Sequence, residues 1–153
     1  MFMKSIQSLC LIQSILMKTD LSNATFIIPI RIESDDRLRN VVTSIAFLVE
    51  NFDTNIIVKE VDKESIFQTE VLPIFEEILE VDLWKNFHHI FERSEEPLFH
   101  RQRVLNEMIA ECETDIVVNY DCDVILPMKS YELAYGGIMA VSYTHLRAHE
   151  TRP

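Results

Sequence analysis

Apolar residues follow two alternating rhythms along this chain. Ala24-Thr25-Phe26-Ile27-Ile28-Pro29-Ile30 is an almost unbroken apolar run of strand length, the pattern of a strand covered on both faces. Pro29 marks its end, since proline has no N–H to give a central ladder. Residues 31–37 form a polar loop, with Ser34 or Asp35 as N-cap and acids in the first turn of the next helix. Leu38, Val41, Val42, Ile45, Leu48, Val49 and Phe52 then recur at helical spacing, which predicts a helix over 36–51. Residues 55–61 read as a second strand ending at the acids Glu60 and Asp62.

The rhythm continues in the second half. Residues 67–83 read as helical, with Pro73 marking a break or a new helix start, and 89–92 as a short strand. A helix is expected over 98–112, carrying Val104, Leu105, Met108 and Ile109 on one side and His100, Arg101 and Arg103 in its first turns. From Ile116 a β-branched strand runs to two carboxylates, Asp121 and Asp123, before Pro127 stops it. Residues 129–135 begin another helix. The order strand, helix, strand, helix, short strand, helix, strand predicts an α/β fold, with a mostly parallel sheet and helices on both faces.

Composition narrows the chemistry. The 153 residues suffice for one domain, and 14 Lys and Arg against 25 Asp and Glu leave a net charge of −11. So acidic a chain is a poor binder of nucleic acid or anionic membrane, and a phosphorylated ligand would need a metal or a local basic cluster. The two glycines, Gly136 and Gly137, are adjacent, so no glycine-rich phosphate loop exists. Cys10, Cys112 and Cys122 have no CxxC spacing and cannot all pair, which implies a reducing, cytoplasmic setting, with peripheral association at a membrane's inner face left open.

Both ends stand apart. The partly apolar stretch 6–17 is too short and too polar to span a bilayer. Within an expected N-terminal extension, 1–23, an amphipathic helix and spurious upstream translation starting at Met17 are both open. Val141-Ser-Tyr-Thr-His-Leu-Arg-Ala-His-Glu-Thr151 is the translation of an adapter end used in transposase-based sequencing libraries. Residues 141–153 are therefore expected to be a non-native tail, and the chain a truncated N-terminal piece. His145, Arg147, His149 and Glu150 are accordingly not read as a metal site.

In a parallel sheet the strand ends share one rim, where open α/β sheets bind ligands. Pro29 and Arg31, Glu60 and Asp62, and Asp121 and Asp123 fall there, with Arg101 and Arg103 entering the last crossover. Acids, arginines and a pair of carboxylates suit a nucleoside diphosphate held through a divalent cation.

Thr25-Phe-Ile-Ile-Pro-Ile-Arg31, Asn55-Ile-Ile-Val-Lys-Glu60, Phe99-His-Arg-Gln-Arg-Val-Leu-Asn106 and Tyr120-Asp-Cys-Asp123 together resemble the nucleotide-sugar glycosyltransferases of the GT-A family 2 type. The interval of 15 residues between Asn106 and Asp121 is one that family keeps. The resemblance implies a Rossmann-like GT-A fold whose donor-binding half occupies residues 24–140. It implies that Pro29 and Arg31 line the nucleotide pocket and that Glu60, with Asp62 nearby, contacts base or ribose. Asp121 would face the donor's ribose or sugar and Asp123 would ligate Mn²⁺ or Mg²⁺. The donor would be a nucleotide-sugar, UDP-linked in the commonest case, and the acceptor a glycan or other hydroxyl. Leu105 stands where the family has an arginine before Asn106, so Arg101 or Arg103 is left to do its work; Val61 and Lys63 replace another acid and a glycine. The general base for the acceptor is expected downstream of the cut, leaving this chain inactive by itself.

Blander readings stand beside these. Arg101 and Arg103 can pair with Glu95, Glu96 or Glu107 on the surface, Glu60 can be a strand-end acid, and His88 and His89 read as partly exposed strand-edge residues. Cys122 reads as a small inward-facing apolar residue, and Trp84 and the phenylalanines as packing. Asp121-Cys-Asp123 also resembles the nucleophile motif of haloacid-dehalogenase-type phosphatases, although that motif normally ends the first strand of its domain. A non-catalytic nucleotide-binding module is the third reading.

Overall fold

The computed structural model describes residues 18–79 and 85–150, with side chains through Val141. Four strands, β1 (Thr19–Ile30), β2 (Phe52–Asp62), β3 (Phe87–Arg93) and β4 (Ile116–Asn119), form one all-parallel sheet in the order β3-β2-β1-β4. Helix α1 (Asp35–Asn51) joins β1 to β2. A single π-helical turn, Phe67–Val71, runs into α2 (Leu72–Ile78) between β2 and β3; α3 (Arg101–Ala110) joins β3 to β4, and α4 (Met128–Glu150) comes last. The expected α/β architecture is therefore present, with helices on both faces.

The elements form for local reasons. Ser34 Oγ accepts the Arg37 N–H at 3.2 Å as N-cap of α1, and Asp35 and Asp36 sit against the positive end of its dipole. Val41, Ile45 and Leu48 make the fully buried stripe of that helix. Each such side chain removed from water contributes ~1.5–3 kcal/mol. Pro73 falls in the first turn of α2, where its missing N–H costs nothing.

The sheet's two faces differ in depth. One side carries the main core: Phe26, Ile28, Val58, Phe67, Phe75 and the α1 stripe, with Tyr120 and Tyr131 closing it. The other is smaller, with Ile27, Ile57 and Val61 under Val104, Leu105 and Met108 of α3. Strand alternation sorts residues between them.

Several boundaries differ from the pattern-based expectation; β2, for one, takes in Phe52, expected in the helical stripe before it. β1 begins at Thr19, five residues earlier than its apolar run, so part of the expected N-terminal extension belongs to the sheet. The register slips between Asp20 and Thr25, and the carbonyl of Ala24 there is met by Thr54 Oγ1 at 2.9 Å. β4 ends at Asn119, so the two carboxylates lie in a turn beyond it. Helix α4 passes through Val141, where the non-native tail is expected to start. The expected packing of Trp84 and the alternatives for residues 1–17 lie outside the described residues.

Candidate functional site

The chain leaves β1 towards β2 and β3 on one side and returns to β4 on the other, so the strand order reverses between the neighbours β1 and β4. That is the topological switch point of the sheet, where a crevice opens in doubly wound folds. Ile28 and Ile30 face the main core, which turns Pro29 and Arg31 towards the α3 side. At the end of β4 and just past it the same alternation buries Tyr120 and Cys122 in the main core and leaves Asn119 and Asp121 bonded to Arg101 of α3.

A cavity of about 240 Å³ occupies this crevice. Pro29 and Arg31 line it from β1, Glu33 and Arg37 from the loop and first turn of α1, Phe99 and Arg101 from the start of α3, and Asp121 from beyond β4. Arg31 is nearly buried and fixed: its Nε donates to the Val61 carbonyl at 2.9 Å and its Nη1 to the Pro97 carbonyl at 3.2 Å. Its guanidinium lies 5.6 Å from the Phe99 ring centre, within cation–π range. Arg101 Nη2 donates to Asn119 Oδ1 at 3.2 Å and pairs with the Asp121 carboxylate. Three guanidinium groups around so small a space make a local positive site on an acidic protein.

A larger hollow of about 580 Å³ lies at the other end of the strands, among Thr25, Asn55, His88 and Cys112. Its charged lining residues are the acids Glu111 and Glu113, with no Lys or Arg, and it sits away from the carboxyl ends of the strands where α/β sheets bind ligands, so the smaller cavity is the better candidate for a phosphorylated ligand.

Four expected site residues, Pro29, Arg31, Arg101 and Asp121, are brought together. Four others are not. Glu60 pairs in register with Ile30 and shares its face, so its side chain enters the main core instead of the rim. There it accepts the Phe67 N–H at 3.0 Å and the Ser65 hydroxyl. Burial alone would raise its pKa, but His89, Ser65 and the Phe67 N–H lower it more, and it ends below the ordinary glutamate value. Asp62 accepts the Lys63 N–H at 2.7 Å in the turn after β2 and does not line the cavity. Arg103 pairs with Glu92 and Glu107 at 2.7 Å each, which hold its charge more firmly, and Asn106 bonds Gln102 on the exposed side of α3. At about 100° per residue, Arg103 stands about 200° and Asn106 about 140° around the helix from Arg101, off the face that Arg101 presents.

The histidine reading holds for His88, which is exposed on β3, the edge strand of the described sheet. His89 on the same strand turns its side chain inward: it is 7% exposed, stacked 4.3 Å from the Phe67 ring, with Nε2 3.4 Å from a Glu60 oxygen. Cys122 is buried as expected, and burial pushes its thiol up to about 11, against a smaller opposing pull from Ser44. Sequence reasoning missed Arg37, Glu33, Phe99 and Asn119. The position of Arg37 in the first turn of α1, just past the end of β1, was the available signal.

Asp123 lies in the exposed turn beside the cavity, and no side-chain partner holds it among the described residues. Also among them, no group of three or more His, Cys, Asp or Glu could hold a metal ion unaided. Two neighbouring carboxylates nevertheless fit the donor set of Mg²⁺ or Mn²⁺ where substrate phosphates and water complete the shell. Asp121 can join such a set only by sharing or releasing Arg101. No helix among the described residues is long and apolar enough to cross a membrane. Comparison with protein-family models, with curated proteins and with solved structures finds no match for this chain.

Proposed function

We propose that this chain binds a nucleotide-diphospho-sugar, UDP-linked in the commonest case, as the donor-binding half of a GT-A-type glycosyltransferase. The observation that carries the reading is the convergence of Arg31, Arg37 and Arg101 with Asp121 on one cavity at the sheet's switch point. Arg31, held by two backbone carbonyls, presents a pre-oriented cation to a diphosphate without further ordering cost. Arg37 adds charge from the α1 side. Glu33, which lines the cavity where Glu60 does not, accepts from base or ribose hydroxyls. Asp121 accepts from the ribose or sugar, and Asp123 holds Mn²⁺ or Mg²⁺ together with the phosphates. The cation, when bound, stabilises charge on the departing diphosphate. No cavity residue is assigned as base for the acceptor hydroxyl, so the reading covers donor binding.

Calorimetric titration with UDP tests it, with Mn²⁺ present or chelated. Binding should need Mn²⁺ and weaken at least about tenfold, ~1.4 kcal/mol, in Asp123→Ala. Equal affinity with and without Mn²⁺, or no binding by the folded protein, rejects the proposal. The phosphatase alternative predicts a phospho-aspartate at Asp121 instead. It draws less support, because the motif comes after the fourth strand of the sheet and not the first.

A further inference from the structure

Arg101 and Asp121 occupy the same cavity wall in contact with one another, which is an unexpected pairing for two groups that a metal-bound diphosphate would each need. The contact is made through one nitrogen. Nη2 donates to Asp121 and also, at 3.2 Å, to Asn119 Oδ1, two residues earlier on the same side of the chain. The partners' side chains are 42% and 55% exposed. An ion pair so open to solvent is weak and exchanges readily. Asn119 is a neutral acceptor and has no affinity to lose when a cation arrives.

We infer that Arg101 is an exchangeable cover for Asp121. Without a cation, its guanidinium neutralises the carboxylate; a divalent cation at Asp121 and Asp123 takes that carboxylate over. Arg101, still tethered to Asn119, then turns its charge to the phosphate that the cation carries. The exchange makes cation and phosphate bind together more strongly than either alone, because the one releases the guanidinium and the other the cation-binding carboxylate. It also keeps the exposed Asp121–Asp123 turn from collecting cations without a ligand. This inference rests on the reading of the cavity as a diphosphate site that uses a divalent cation.

The test uses the full chain as wild type, Arg101→Ala, Arg101→Lys and Asp121→Asn. Mn²⁺ alone is titrated by electron paramagnetic resonance, then inorganic pyrophosphate and UDP are titrated with Mn²⁺ by calorimetry. Arg101→Ala should bind Mn²⁺ alone about 2–5-fold more tightly, as a weak cover allows. It should bind pyrophosphate with Mn²⁺ at least about tenfold more weakly, since a charged hydrogen bond is lost. Arg101→Lys should fall between, and Asp121→Asn added to Arg101→Ala should cancel the gain in Mn²⁺ affinity. Equal Mn²⁺ affinity in wild type and Arg101→Ala, or pyrophosphate binding unaffected by the loss of Arg101, overturns the inference. UDP binding no better than pyrophosphate, with the Arg101 effects intact, instead overturns the nucleotide-sugar reading and leaves the exchange standing.

Discussion

Replacing Glu60 with alanine probes the least expected placement in the molecule, a carboxylate with 0% exposure at the end of β2. It accepts from the Phe67 N–H and from Ser65 Oγ, and His89 Nε2 stands 3.4 Å away. Truncation leaves a buried N–H without an acceptor and opens a void beneath the π turn, each worth ~1–3 kcal/mol. Half-buried Ser65 can turn to water and contributes less. The sum is a loss of about 3–5 kcal/mol, the size seen when one member of a buried charged network is removed. Against a typical total of about 5–15 kcal/mol this is severe. Glu60→Gln keeps the volume and one acceptor oxygen and should lose about 1–2 kcal/mol. Urea unfolding monitored by far-ultraviolet circular dichroism at pH 7 measures both, with exposed Glu64→Ala as the control. Because the folded pKa of Glu60 lies below its unfolded value, its contribution is complete above the ordinary glutamate pKa. It is lost as pH falls through the folded value, below the ordinary glutamate range. Glu60→Gln should lack that component of acid destabilisation. A loss under about 1 kcal/mol in Glu60→Ala, equal to that of the control, would refute the burial argument.

Two more outcomes are expected from the same packing. The Cys122 thiol, buried and raised to about 11, should alkylate on the order of a hundredfold more slowly at pH 8 than in urea. Equal rates, read by mass spectrometry of the Cys122 peptide, would place it at the surface. Tyr131 Oη accepts the Leu126 N–H at 3.1 Å and so pins the segment after the Asp121–Asp123 turn to α4. Tyr131→Phe should cost about 1–2 kcal/mol and speed hydrogen exchange at Leu126; an unchanged amide would show that the bond does not hold the segment.

The parts of the site that were legible along the chain were those fixed by strand order and polarity. Pro29 and Arg31 had to end the first buried strand, and Asp121 had to come after the last, so their meeting on one rim needed only a parallel sheet. Glu60 looked equivalent, since it also ends a strand. One position of parity sent it to the other face, where Phe67 and Ser65 surround it. Arg103 and Asn106 failed for the analogous reason in a helix, roughly half a turn's rotation away from Arg101.

What this sequence determined by itself is the succession of elements, because the periods of 2 and 3.6 are properties of the local backbone and survive without tertiary contacts. The buried run ending at Pro29, the stripe from Val41 to Leu48, and the cap at Ser34 were all readable in that way. Only the tertiary structure decided which side of each strand end meets a helix. It packed Phe67 over the His89 side chain and brought Arg37 and Phe99 to the cavity. Those placements depend on the docking of α1, the π turn and α3 against distant strands, and no local period encodes where separate elements converge.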